Sequence, residues 1–176
     1  MRRVASMAVA SGLLAAFAFP AQALADGPQS VSQSYVVNST TVPGVDTGFI
    51  VKPGVPVTVT ATGEVCAFGG VPGSCFDGTT PDGNSSWDTT QSGFGGFVLP
   101  GAPAWGLVGK VGDGPWVQVG SGPTTMSGSG DLVFAVNDDL FSDNTGSFTA
   151  TVTFTCYSGN GYGDNNHYHC GPPGQS

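Results

Sequence analysis

Phe148, Ala150, Val152 and Phe154 alternate without a break against Thr149, Thr151, Thr153 and Thr155. A period of two puts the first set on one face of an extended strand and the second on the other. Wound into a helix, the same apolar residues would scatter around the circumference. Such a segment must pair with other strands and bury its apolar face under a second layer. Val55, Val57 and Val59 alternate in the same way against Pro56, Thr58 and Thr60, with Pro56 marking an edge or a strand start. Residues 31–38 read as a first strand, with Tyr35 and Val37 on one face and Val36 on the other. Residues 49–51, 105–111 and 116–119 add shorter strands. Residues 131–137 are almost continuously apolar, as in a strand covered on both faces. Pro43-Gly44, Pro53-Gly54 and residues 112–115 are turns, and residues 120–130 read as another turn region. Beyond residue 25 no segment carries a helical period. The expected fold class is all-β, an antiparallel, jelly-roll-like β-sandwich of about eight strands. Residues 63–103 are the least regular part, and a loop that long in a compact domain is usually functional.

The ends read differently. Arg2 and Arg3, an apolar run over residues 4–19, Pro20 and then Ala23-Leu24-Ala25 have the layout of a secretory signal over residues 1–25. The run is too short for a spanning helix. The sandwich domain is expected over residues 26–156, followed by a Gly-, Asn- and His-rich tail over 157–176. His167 and His169 beside Asp164 are a weak transition-metal signal, and a polar tail is the better reading. Cys66, Cys75, Cys156 and Cys170 are even in number in an exported chain, so two disulfides are expected among three possible pairings. Cys66–Cys75 and Cys156–Cys170 are preferred because each closes a short Gly-rich loop, which also ties the tail back. Without residues 1–25 the chain keeps two bases, Lys52 and Lys110, against twelve acids, a formal charge of −10. That balance repels phosphate backbones and disfavours nucleic acid and anionic membranes as partners. It admits cations.

The acids crowd one place. Asn137, Asp138, Asp139, Asp143 and Asn144 lie between two strand patterns. Oxygen donors at this density suit a hard cation such as Ca²⁺, although the same residue types also make ordinary hairpin turns. The Asp-x-Asp-x-Asp-Gly order of an EF-hand is missing. No Gly-x-Ser-x-Gly or His-Glu-x-x-His motif is present, and Glu64 has no evident acid partner, so an enzyme is not expected.

Three blocks together resemble the calcium-dependent, galactose-binding lectins of bacteria, the galactophilic lectins. They are Thr47-Gly48-Phe49-Ile50-Val51 with residues 57–63, then Gly106-Leu107-Val108-Gly109-Lys110-Val111-Gly112, and last residues 132–138 with Asp143-Asn144-Thr145-Gly146-Ser147-Phe148. The resemblance implies a jelly-roll sandwich and a secreted carbohydrate-binding protein that holds its sugar through a loop-bound calcium ion. It implies metal ligation by Asp138, Asp143 and Asn144, with a backbone carbonyl from residues 66–68, taken as Ala67. A further carbonyl would come from Leu140 or Phe141, in a loop two residues shorter than the family's. Sugar contacts would fall to Trp87, where the family has a His, to Gln91 or its neighbour Thr90, and to Asp138, Asp139 and Asp143 beside the metal. The rival reading is a structural sandwich whose acidic loop binds a stabilising metal or none.

Overall fold

The computed structural model describes residues 29–73, 75, 78–91, 93–158 and 168–169. The proposed signal, His167 and Cys170 lie outside them. These described residues form nine strands: β1 Gln29–Asn38, β2 Val45–Val51, β3 Val57–Cys66, β4 Leu107–Val111, β5 Val117–Gln118, β6 Thr124–Met126, β7 Gly130–Val136, β8 Thr145–Ser158 and β9 Tyr168–His169. A single 3₁₀ turn, Phe141–Asp143, is the only helical element among the described residues. Every pairing is antiparallel. One sheet runs β1-β8-β3-β6, with β9 on β8, and the other runs β2-β7-β4-β5. Two antiparallel sheets sharing one core make this an all-β sandwich.

The alternation at residues 148–155 does what its period requires. Phe148, Ala150 and Val152 are fully buried, while Thr151 and Thr153 turn outward to bond Ser34 (2.9 Å) and Ser32 (2.8 Å) on β1. Val37, Val59, Leu107, Phe134 and Val136 complete the centre of the core. Phe134 stands opposite Gly109 in register. A Cβ at Gly109 would come within 2.9 Å of that ring, so the glycine makes the room the phenyl fills.

Several boundaries differ from expectation. β3 runs on to Cys66 rather than stopping near residue 60, because Gly63 and Glu64 break the apolar alternation without breaking the ladder to β8. The supposed turn region 120–130 contains β6, whose three residues pair with Val57, Thr58 and Val59. β4 starts at Leu107 instead of 105, since Trp105 has a φ of 57° that no strand allows. Residues 131–137 are covered on both faces only in part: Ala135 is buried near Gly44 and Trp116, but Asp131 is exposed.

Cys66 and Cys75 are bonded, with Cα atoms 6.0 Å apart, as expected. Cys156 is also in a disulfide. A disulfide persists where the surroundings are oxidising. No helix among the described residues is long and apolar enough to cross a membrane.

Phe134→Ala should lower the unfolding free energy by about 3–5 kcal/mol in a denaturant titration, the usual cost of emptying a packed aromatic site. A loss near zero would show that the two sheets do not close over this ring.

Candidate functional site

The site forms at one end of the sandwich, where the chain passes from β7 in one sheet to β8 in the other. The β3–β8 ladder ends at the pair Cys66–Thr145. The turn after Cys66 and the loop before Thr145 therefore meet by register alone. The Thr145 hydroxyl donates to the Gly70 carbonyl, which locks the two together. On the other side, Leu107 pairs with Val136. Trp105 N donates to Asn137 O (2.7 Å) and Asn137 N to Gly106 O (2.8 Å), extending that contact to the start of the acidic loop.

Asp138 is 2% exposed and Asn144 4%. Asp138 Oδ1 accepts from Trp105 Nε1 (3.2 Å), Asp139 N (2.7 Å) and Leu140 N (3.4 Å). Its Oδ2 accepts from Asn144 Nδ2 (2.5 Å). The same Nδ2 donates to the Ser39 carbonyl (3.1 Å). Flipping that amide would set Asn144 Oδ1 against two acceptors, so chemistry fixes its orientation. What is left is Asn144 Oδ1, buried and accepting no hydrogen bond among the described residues. Asp143 Oδ1 is buried as well.

A cavity of about 390 Å³ opens beside this pair. Asp138, Asp139, Leu140 and Asp143 line it, with Ala67. Phe68, Trp87, Phe94 and Trp105 line it as well, with Asp88 and Gln91. Phe68, Trp87 and Trp105 form a connected aromatic wall, with ring centroids 5.0 Å apart for the two tryptophans and 5.5 Å for Phe68 and Trp105. Trp105 is buried, whereas Phe68 is 61% and Trp87 48% exposed. The wall thus has a fixed base and an accessible face.

The structure brings Ala67, Trp87, Gln91, Asp138, Asp139 and Asp143 to one cavity and sets Asn144 against Asp138. Thr90 is not on the cavity; its hydroxyl donates to Asp88 (2.6 Å). Of the two carbonyl candidates, Leu140 lines the cavity, while Phe141 O accepts from Asn144 N (3.3 Å). Phe68, Phe94 and Trp105 were not anticipated as site side chains. A signal existed for the first two: each is a bulky aromatic beside two glycines, Phe68-Gly69-Gly70 and Phe94-Gly95-Gly96, in an irregular stretch. The bond from Trp105 to Asp138 spans 33 residues and left no local trace.

No protein-family model matches the chain, and no curated protein matches it. Among solved structures it is similar to one described as the EclA N-terminal domain, a PllA-like lectin. The identity is 22%, the TM-score 0.48, and the match covers 69% of this chain and 94% of that one.

Burial raises the pKa of Asp138, against the opposing bonds from Asn144, Asp139 and Leu140, and the Asp139 charge adds to the rise. A carboxyl held above its unfolded value stabilises the fold most below the ordinary Asp range, and that contribution is lost as pH rises through the raised pKa. In metal-free buffer the melting-temperature difference between wild type and Asp138→Ala should therefore shrink as pH rises above about 4, the ordinary Asp value. A difference that grows instead would mean that the N–H donors outweigh burial.

Proposed function

We propose that this is a secreted carbohydrate-binding protein that holds a calcium ion in the loop 138–144 and a sugar in the adjoining cavity. The observation that carries the reading is Asn144 Oδ1: a buried amide oxygen, locked in orientation, with no hydrogen-bond donor among the described residues. Leaving such an atom unsatisfied costs about 1–3 kcal/mol, and a cation relieves that cost. The donor set is all oxygen and suits a hard ion. Asp138, Asp143 and Asn144 would supply side-chain oxygens and Ala67 its carbonyl, with Leu140 the better-placed second carbonyl. The bound ion would supply open coordination positions to neighbouring sugar hydroxyls.

The chain's own residues do the rest. Trp105 and Asn144 hold the Asp138 carboxylate in place before any ligand arrives. Trp87 and Phe68 present aromatic faces at which the apolar side of a sugar ring can stack. Asp139 and Gln91 reach the same cavity and can accept hydrogen bonds from hydroxyls. The sequence resemblance makes a galactoside the first ligand to try. Nothing in this arrangement calls for a reaction step, so the reading is of binding alone.

The test pairs thermal unfolding with a glycan array, each run with calcium and with EDTA. Calcium bound only to the folded state adds about 2.7 kcal/mol of stability at a hundredfold excess over Kd. The melting temperature of the wild type should rise with calcium and fall back with EDTA, and glycan binding should follow it. Asp138→Ala should lose both responses, while Trp87→Ala should keep the thermal shift and lose the glycan. A calcium shift with no glycan bound under any condition would leave a stabilising metal and overturn the carbohydrate reading.

A further inference from the structure

Among the described residues, and leaving aside the two-residue β9, the two sheets have four outer strands, and three of them are protected against pairing with another chain. β2 carries an irregularity between Asp46 and Ile50, where the Thr47 hydroxyl donates to Leu132 O (2.7 Å) and accepts from Phe49 N (3.1 Å). β5 is two residues long and follows Pro115; β6 is three residues long and follows Pro123. Short length, proline and irregularity are the usual devices that blunt a sheet edge. β1 has none of them. It runs for ten residues, about 34 Å, in unbroken register with β8, and its sequence QSVSQSYVVN contains no charge, proline or glycine. Among the described residues β8 is its only strand neighbour.

Exposed apolar residues lie near that edge, on both faces of the sheet. Val31 is 39% and Val36 57% exposed. Val31 stands opposite Phe154, whose ring lies 4.9 Å from Phe49. Phe49 and Phe154, with the 63% exposed Ile50, line a second cavity of about 250 Å³. Gln33 is exposed although it faces the same way as Val37, so the second sheet does not reach under this end of β1.

We infer that β1 is the seam of a symmetric dimer, in which the strand pairs antiparallel with β1 of a second copy. A second copy fits better than a foreign strand for two reasons. Antiparallel edge pairing is self-complementary, so a two-fold axis closes the assembly at two chains. A strand without charges meets its own copy with no like-charge repulsion, in a chain that otherwise carries three acids for every base. Pairing would join the two β1-β8-β3-β6 sheets into one and cover the apolar margin at Val31. The inference is independent of the metal and the sugar.

Sedimentation equilibrium of the purified protein tests it, with amide hydrogen exchange as the second readout. Wild type should sediment as two chains at about 100 μM, a hundredfold above a micromolar Kd. The β1 amides should exchange slowly. Ser34→Lys combined with Val36→Lys, both at exposed positions, should give single chains of unchanged circular dichroism with faster exchange confined to β1. Wild type that sediments as one chain at this concentration overturns the inference, as does a double variant that remains a dimer. A single chain with slow β1 amides would show that the protein's own flanking residues cover the edge, which also overturns it.

Discussion

The ladder between β3 and β8 decides where the candidate site lies. Nine consecutive pairs, from Thr58–Thr153 to Cys66–Thr145, tie two core strands together before either one turns. Near the end of that ladder sits Gly146, with a φ of 87°, opposite Val65. A Cβ there would come within 2.4 Å of the Glu64 carbonyl, so only glycine lets the strands stay this close up to their last pair. Because both strands end together, the turn closed by the Cys66–Cys75 disulfide lies against the loop that ends at Asn144. The position of Ala67 relative to Asp143 and Asn144 follows from strand pairing, not from any attraction between those residues.

Asn137 organises the other side. Its Oδ1 accepts from Leu99 N (2.8 Å), and its Nδ2 lies within bonding reach of the carbonyls of Leu99 (3.1 Å), Pro103 (3.0 Å) and Ala102 (3.3 Å). One buried amide therefore folds the end of the long loop back onto β7. That loop leads directly to Trp105, which is held at positive φ with its ring buried and its indole N–H on Asp138. An unfavourable backbone conformation of this kind persists only where the surroundings over-determine it. Here they do: the backbone of Trp105 is bonded to Asn137, its indole to the acid, and its ring supports Trp87 and Phe68.

The strands were legible where a face is buried on one side only. At residues 148–155, 57–60 and 35–37 the alternation of apolar and polar residues reports burial directly. It fails where the reason for a strand is not hydrophobic. β6 is three residues between glycine-rich flanks, too short to show a period, and is held by its ladder to β3. The far half of β3 contains Gly63 and Glu64, and its register comes from β8. At the site, the density of carboxylates and amides in the acidic loop could be read from composition alone. The direction of one amide could not, because it depends on Ser39, 105 residues away in the chain. The aromatic wall was half legible: Trp87 stands in a turn-rich loop, but its support by Trp105 is a long-range contact.

The same contacts explain why the acid site is built from neutral partners. Asp138 accepts from an indole, two backbone amides and a carboxamide, none of which carries a charge. The two lysines of the described chain are placed elsewhere, Lys110 over the ring of Trp116 (5.3 Å) and Lys52 at the second cavity. Neutral donors fix where the carboxylate oxygens sit and leave the negative charge uncancelled. A lysine or arginine in their place would satisfy the carboxylate and close the site to any cation. A buried carboxylate with its charge left open is costly for the fold, as the raised pKa of Asp138 records. Under the proposed function that cost is the counterpart of affinity: a cation entering the loop would meet oxygens already oriented and would displace no charged partner of Asp138.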